Sequence, residues 1–205
     1  MDLILATRNA RKVEEIAGVF VNSNVRLLTL ADAGIRGEAI EDSNTLEQNA
    51  FNKSWFAYEQ SGRDKWVAAD DTGLFITALN GEPGVRSARW AGEGASTEEA
   101  MRYCLARMNG IVYREAVFRT VVFAISPSGR IQDTFIGEIR GHLLCTPRVA
   151  PRPKMPYSAL FVPEGHDRAL AEMTIAEENA ISHRGMAFLR LMAFLKGYSL
   201  MQSRA

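Results

Sequence analysis

The sequence predicts one α/β domain with a helical lobe and a β-hairpin lobe. Three observations lead there: short apolar runs alternating with amphipathic helical patterns, two long β-rich segments around a Ser-Pro-Ser-Gly turn, and no internal repeat or domain-length linker anywhere in residues 1–205. A chain of this length buries a sizeable core without metal or disulfide staples.

The elements follow in order. Leu3–Ala6 is a short apolar strand that stops at Thr7-Arg8-Asn9, and Val13, Ile16, Ala17 and Phe20 then fall on one face of a helix over residues 10–21. Thr7 or Asn9 is its N-cap. A second strand runs from Val25 to Leu30, and the stretch Ala31–Asn44 is a loop ahead of a helix through Leu46, Ala50, Phe51 and Phe56. Trp66–Ala69 is a third strand, expected to end in an acidic turn at Asp70-Asp71-Thr72-Gly73 before Leu74-Phe75-Ile76 opens a further apolar segment. Gly and Pro punctuate a loop from Asn80 to Ala95, followed by a helix capped by Ser96 or Thr97, with Met101, Cys104, Leu105 and Met108 on it. Ala116–Ile125 and Ile131–Leu144 form a long hairpin. Residues 146–156 carry four prolines and read as loop, Tyr157–Phe161 returns to apolar character, and Arg184–Leu200 places Ala187, Phe188, Leu191, Met192 and Leu195 on one helical stripe.

Composition narrows the function. Twenty-four Lys and Arg balance 24 Asp and Glu, so a whole-chain electrostatic grip on nucleic acid or on an anionic membrane is not expected, and any anion site is local. Two cysteines, Cys104 and Cys145, lack ligand spacing and suit a reducing cytoplasm. No apolar run is long enough to span a bilayer, and no secretion signal is evident at the start.

Three places carry chemistry. Thr7, Asn9 and Lys12 sit at a strand-to-helix junction, where free N–H groups, a hydroxyl, an amide and a cation suit phosphate, although a plain capped helix with solvated cations has the same sequence. Asp70 and Asp71 follow a buried strand. Adjacent residues of an extended chain face opposite ways, so the two acids have different tasks, one of them holding a divalent ion and bringing water to attack. Glu41 is a possible second carboxylate ligand and Lys53, one turn after Asn49, points toward the same crevice; each is equally a surface residue on its own. Ser182, His183 and Arg184 open the last helix and suit the polar edge of a base or a phosphate. A serine-hydrolase triad is the other reading there, but no Gly-x-Ser-x-Gly elbow accompanies it.

Taken in order, LATRNARKVEEI, EDSNTLEQNAFNKS, ADDTGLFITALNGEPGVRSARWAG and AEMTIAEENAISHRG resemble the inosine triphosphate pyrophosphatase family. The resemblance implies an elongated α/β fold around a long mixed sheet, a homodimer, and a Mg²⁺-dependent hydrolase that cleaves a nucleoside triphosphate between the α and β phosphates. Its usual substrates are the triphosphates of deaminated purines. By motif, Thr7, Asn9 and Lys12 would hold phosphates and Lys53 would neutralise charge. Glu41 and Asp70 would hold Mg²⁺, with Asp70 also the proton acceptor. Asp71 and Thr72 would line the site, and Ser182, His183 and Arg184 would contact the base.

The chain departs from that pattern at the base end. Lys154-Met155-Pro156-Tyr157-Ser158-Ala159 stands where the family carries an aromatic and an Asp, which leaves Tyr157 as the aromatic available for stacking. Glu178 replaces a Lys, and Arg8 a Gly. Hydrolysis is expected to survive these changes while base preference shifts. The alternative is a nucleotide-binding protein of the same fold without turnover.

Overall fold

The computed structural model describes residues 1–202. Its backbone is a mixed seven-stranded sheet with the order β2-β1-β3-β5-β6-β7, and β4 pairs with β3 off that path. The strands are β1 (Asp2–Leu5), β2 (Arg26–Thr29), β3 (Trp66–Ile76), β4 (Pro83–Gly84), β5 (Glu115–Ile125), β6 (Gln132–Leu143) and β7 (Phe161–Pro163). The helices are α1 (Ala10–Phe20), α2 (Leu46–Gln60), α3 (Thr97–Arg107), α4 (Ile175–Ile181) and α5 (His183–Gln202). The α/β class, the long mixed sheet and the flanking helices are those expected. The last three residues of the expected 1–205 unit lie outside the described residues.

β3 organises the molecule. Its first residues pair in parallel with β1 (Leu3 opposite Trp66, Leu5 opposite Ala68), while β5 pairs antiparallel along Val67–Ile76. β4 takes the β1-side edge again at Leu74 and Phe75. Between these two partners, residues 69–73 leave that edge of the sheet open, as happens where parallel strands end and a ligand crevice forms.

Alternation along β3 then sorts its side chains. Trp66 and Ala68 join the cluster that packs against α1 and α5, with Ile16, Phe20, Phe188 and Leu191. Val67 and Ala69 join the opposite cluster, with Ala57 and Tyr58 of α2. A third cluster under α3 gathers Leu74, Ile76, Met101, Cys104, Phe118 and Phe161 at the hairpin end.

Local expectations are corrected or completed at several points. Asp70-Asp71-Thr72-Gly73 is not a turn but the middle of an eleven-residue strand, because β5 supplies a partner at every residue and outweighs the local turn preference of Asp and Gly. Gly73 is required by space, since a Cβ there would lie 2.7 Å from the Gly84 carbonyl oxygen. The 80–95 loop hides the two-residue strand β4. Tyr157–Phe161, read as apolar, is buried throughout, and its last residue opens β7 opposite Leu143. A short helix, α4, precedes the last one and begins with a Thr174–Glu177 capping box. Among the caps expected, Asn9 rather than Thr7 caps α1, and Ser96 rather than Thr97 caps α3.

Helix α5 lies close on β6 at Gly137, where a Cβ would overlap the His183 carbonyl oxygen and sit 2.8 Å from the Ala187 nitrogen. Because both neighbours are helix backbone, Gly137→Ala is expected to lower stability by about 3 kcal/mol or more, read as a drop in the urea midpoint. It is also expected to weaken ligand binding through displacement of His183 and Arg184.

Candidate active site

The open edge of β3 borders a cleft of about 340 Å³, an ordinary size for a small-molecule site. Thr7, Asn9, Lys12, Lys53, Glu41, Asp71, Thr72, Tyr157, His183 and Arg184 all line it. The fold therefore brings to one place residues that lie up to 177 positions apart in the chain.

The α1 end is built by its cap. The Asn9 side-chain oxygen accepts from Arg11 N and Lys12 N, and Thr7 Oγ1 accepts from Asn9 N at 3.2 Å. The Thr7 hydroxyl hydrogen and the Asn9 side-chain amide remain unspent among the described residues, so both are available as donors at the positive end of the helix. Arg8, where glycine was expected, lines the cleft, and its guanidinium donates to the Gly37 carbonyl at 2.7 Å and to that of Ile35 at 3.3 Å.

The two acids of β3 go to opposite faces, as the alternation of the strand demands. Asp70 follows Trp66 and Ala68 toward α1 and α5, where its Oδ2 meets Lys12 Nζ at 2.8 Å and Arg184 Nε at 3.4 Å. Asp71 follows Val67 and Ala69 toward α2, where Oδ1 takes Lys53 Nζ at 2.9 Å and Oδ2 takes the Asn49 amide at 3.0 Å. Lys53 Nζ also reaches Glu41 Oε2 at 3.1 Å. Glu41 is thus joined to Asp71 through one ammonium rather than to Asp70, and Asp70 does not line the cleft. The carboxylate pair expected from the sequence was Glu41 with Asp70; the pair that shares a cation is Glu41 with Asp71.

Burial and charge set the protonation of this cluster. Burial raises the Asp70 pKa, yet Lys12, Arg184 and Lys53 outweigh it and hold the carboxyl far below its ordinary value. Lys53 is opposed by burial but ends above its ordinary value, because Asp71, Asp70 and Glu41 favour the ammonium. Lys12 goes the other way: burial and the charges of Lys53 and Arg184 lower it, with Asp70 offsetting only part. A ligand bringing negative charge would relieve that deficit.

At the far end Arg184 is fixed by Glu15 (2.5 Å), Asp70 and Thr72. His183 is buried, lies flat on Phe118 at 4.7 Å, and is held neutral by burial and by the Arg184 charge. Ser182 does not line the cleft; its hydroxyl accepts from Gly185 N and caps α5. Tyr157 lines the cleft with its hydroxyl donating to the Ser87 carbonyl, which ties the ring in place. Burial pushes Glu178 up, with the charge of Glu15 adding to it, while Arg152 pulls it down. Glu15 itself was missed: it stands outside the apolar stripe of α1, and only its distance of four residues from Arg11, to which it is bonded at 3.1 Å, hinted at an interaction.

A crevice at an open sheet edge, with a helix N-terminus, a buried and a half-buried lysine and paired carboxylates, defines an α/β protein of the polyphosphate-binding class. The chain belongs to the Ham1 family, whose model matches residues 3–194. It is 39% identical over 198 residues to a dITP/XTP pyrophosphatase of Thermoanaerobacter pseudethanolicus, covering 95% of this chain and 96% of that one. The corresponding protein of Geobacter sulfurreducens is 37% identical over 198 residues, with 96% and 95% covered. Among solved structures, the Ham1 protein of Staphylococcus aureus superposes with a TM-score of 0.82 at 29% identity, covering 97% of this chain and all of that one. A HAM1 protein from Coxiella burnetii gives 0.84 at 28% identity, with 96% and 99% covered. The family expected from the motifs is the one matched.

The depressed pKa of Asp70 has a stability consequence with a definite sign. The folded state favours the carboxylate, so its contribution is full above the ordinary value of 3.8 and is lost as pH falls through the folded value. Asp70→Asn is expected to cost about 3 kcal/mol at neutral pH. The gap to the wild-type chain should stay constant from pH 7 to about pH 5 and narrow only below about pH 4, as measured by urea unfolding across that range. Narrowing between pH 7 and pH 5 would contradict the assignment.

Proposed function

We propose that this chain is a nucleoside-triphosphate pyrophosphatase that hydrolyses the triphosphates of deaminated purines to the monophosphate and pyrophosphate. The observation that carries the reading is the Lys53 ammonium held between Asp71 and Glu41 beside the α1 N-terminus, with Lys12 close by on the opposite side of β3. That arrangement offers both cationic donors for a polyphosphate and carboxylates for a metal ion. The names of the Thermoanaerobacter and Geobacter relatives support the same chemistry.

In this reading Thr7, Asn9 and Lys12 grip the phosphate chain, and Lys53 balances charge developing on the leaving pyrophosphate. Glu41 and Asp71 are hard oxygen donors that already converge on one cationic nitrogen, so they fit a Mg²⁺ ion, which keeps several waters and needs few protein ligands. When bound, Mg²⁺ lowers the pKa of a coordinated water and neutralises phosphate charge. Asp71, rather than the expected Asp70, accepts the proton of the attacking water, because Asp71 lines the cleft and Asp70 does not. One O–H bond of water breaks, a P–O bond forms at the α phosphorus, and the bond to the β-phosphate oxygen breaks with release of pyrophosphate. Asp70 keeps Lys12 and Arg184 in position. His183 and Arg184 bound the base, with Tyr157 in the adjoining wall, and Ser182 supports them through its cap.

The same reading takes the working unit as a homodimer in a reducing cytoplasm. Two unpaired cysteines and the exposed neighbours Val112 and Tyr113 support it.

Purified chain with Mg²⁺ is expected to convert inosine triphosphate to the monophosphate with pyrophosphate, and a chelator should stop turnover. Asp71→Asn and Lys53→Met should each lower kcat by about 100-fold or more while nucleotide binding persists. Release of orthophosphate alone, or full turnover by Asp71→Asn, would refute the proposal.

A further inference from the structure

Of the two carboxylates that converge on Lys53, Asp71 is fixed by β3, whereas Glu41 lies between β2 and α2 on a segment without regular structure. Residues 36–44 make no backbone-to-backbone hydrogen bond with the described residues. Apolar packing adds little: Ile35 is buried, but Ile40, next to Glu41, is 73% exposed. A segment with so few buried contacts opens readily unless side chains tie it down. A loose metal ligand binds weakly, because binding must then also order it.

The ties come from around the segment. Upstream, Arg8 donates to the carbonyls of Ile35 and Gly37, and downstream Ser43 N donates to the Asn49 side chain at 3.2 Å. At Glu41 itself, Arg89 Nη1 donates to the backbone carbonyl. Arg89 stands on a stiff base. It ends the 3-10 turn Ser87–Arg89, in which the Ser87 hydroxyl donates to the Gly84 carbonyl at 2.6 Å and accepts from Leu74 N at 2.8 Å. The Tyr157 hydroxyl adds a third bond, to the Ser87 carbonyl. Arg89 lies outside the cleft lining, and it holds Glu41 by the backbone rather than by the carboxylate.

We propose that Arg89 is a positioning residue for the metal site: by gripping the Glu41 carbonyl it holds the Glu41 carboxylate toward Asp71, where a divalent cation would bind. Because the grip is on the backbone, both carboxylate oxygens are left to Lys53 and the cation. Groups that orient a ligand in this way set metal affinity without touching the substrate. The inference rests on the reading of Glu41 as a metal ligand.

The test measures Mn²⁺ binding to the nucleotide-free chain by calorimetry, together with the Mg²⁺ dependence of pyrophosphate release from inosine triphosphate. Arg89→Met keeps the bulk of the side chain and removes its donors. It is expected to weaken Mn²⁺ binding about tenfold or more, and to raise the Mg²⁺ needed for half-maximal release by a similar factor. At saturating Mg²⁺, kcat should stay within about threefold of wild type. A residue acting through the Glu41 carboxylate has nothing left to position once that carboxylate is gone. In the Glu41→Gln background Arg89→Met should therefore cost about twofold or less in Mn²⁺ affinity, whereas a general effect on the fold would repeat the full loss. Arg89→Gln, too short to reach the Glu41 carbonyl, is a second variant expected to lose as much as Arg89→Met. Unchanged Mn²⁺ affinity in either folded variant, or the full loss repeated on top of Glu41→Gln, overturns the proposal. Pyrophosphate release whose Mg²⁺ requirement does not respond to Arg89 defeats this inference alone. Weakened Mn²⁺ binding by Arg89→Met in a chain that releases no pyrophosphate supports it and defeats the hydrolysis.

Discussion

The site depends on two adjacent carboxylates placed in the middle of a buried strand. Because successive side chains of a strand face opposite ways, Asp70 and Asp71 are driven into different layers of the protein, one toward α1 and α5 and the other toward α2. Neither layer tolerates an uncompensated charge. Each must bring its own cation, and each does: Lys12 and Arg184 for Asp70, Lys53 for Asp71. The positions of three helices relative to the sheet are tied to that requirement.

The same compensation gives the cleft its character. On the α1 and α5 side burial, with the charges of Lys53 and Arg184 adding to it, lowers Lys12, which favours an anionic ligand there. On the α2 side Asp71 and Glu41, helped by Asp70 from across the strand, outweigh burial and keep Lys53 charged. A polyphosphate and a divalent cation therefore have complementary places on the two faces of one strand. The gap between β1 and β4 along the edge of β3 lets both faces open into a single cleft.

Around this centre stand residues that hold the others in place. Ser182 caps α5 so that His183 and Arg184 start a rigid helix, and Gly137 and Gly185 let the backbone approach closely enough for that helix to sit on the sheet and on α4. Asn49 turns Asp71 toward Lys53 while also receiving Ser43 N. Arg8, long and charged where a small residue was expected, lines the cleft and is tied to carbonyls of the 35–37 segment.

Much of this was legible in the sequence. Periodicities of two and 3.6 placed β1, α1, α2, α3, the β5–β6 hairpin and α5, because those segments bury one face and their apolar residues must repeat at the spacing of the element. The sequence also named most of the polar residues gathered at the centre of the cleft, Thr7, Asn9, Lys12, Lys53, Asp71, Thr72, His183 and Arg184 among them, and it required Asp70 and Asp71 to differ. It could not say which of them faces Glu41: that follows from the phase of β3 against its two helix layers, which is set by pairing with β1 and β5. Nor could it keep Asp70–Gly73 in the strand, for those residues locally favour a turn and only ten paired residues of β5 hold them extended. Glu15, Arg152 and the tie from Arg89 to Glu41 are likewise products of tertiary structure. Local order is encoded by nearby residues, but the partner of a buried charge is chosen by whichever distant segment the packing brings within about 3 Å.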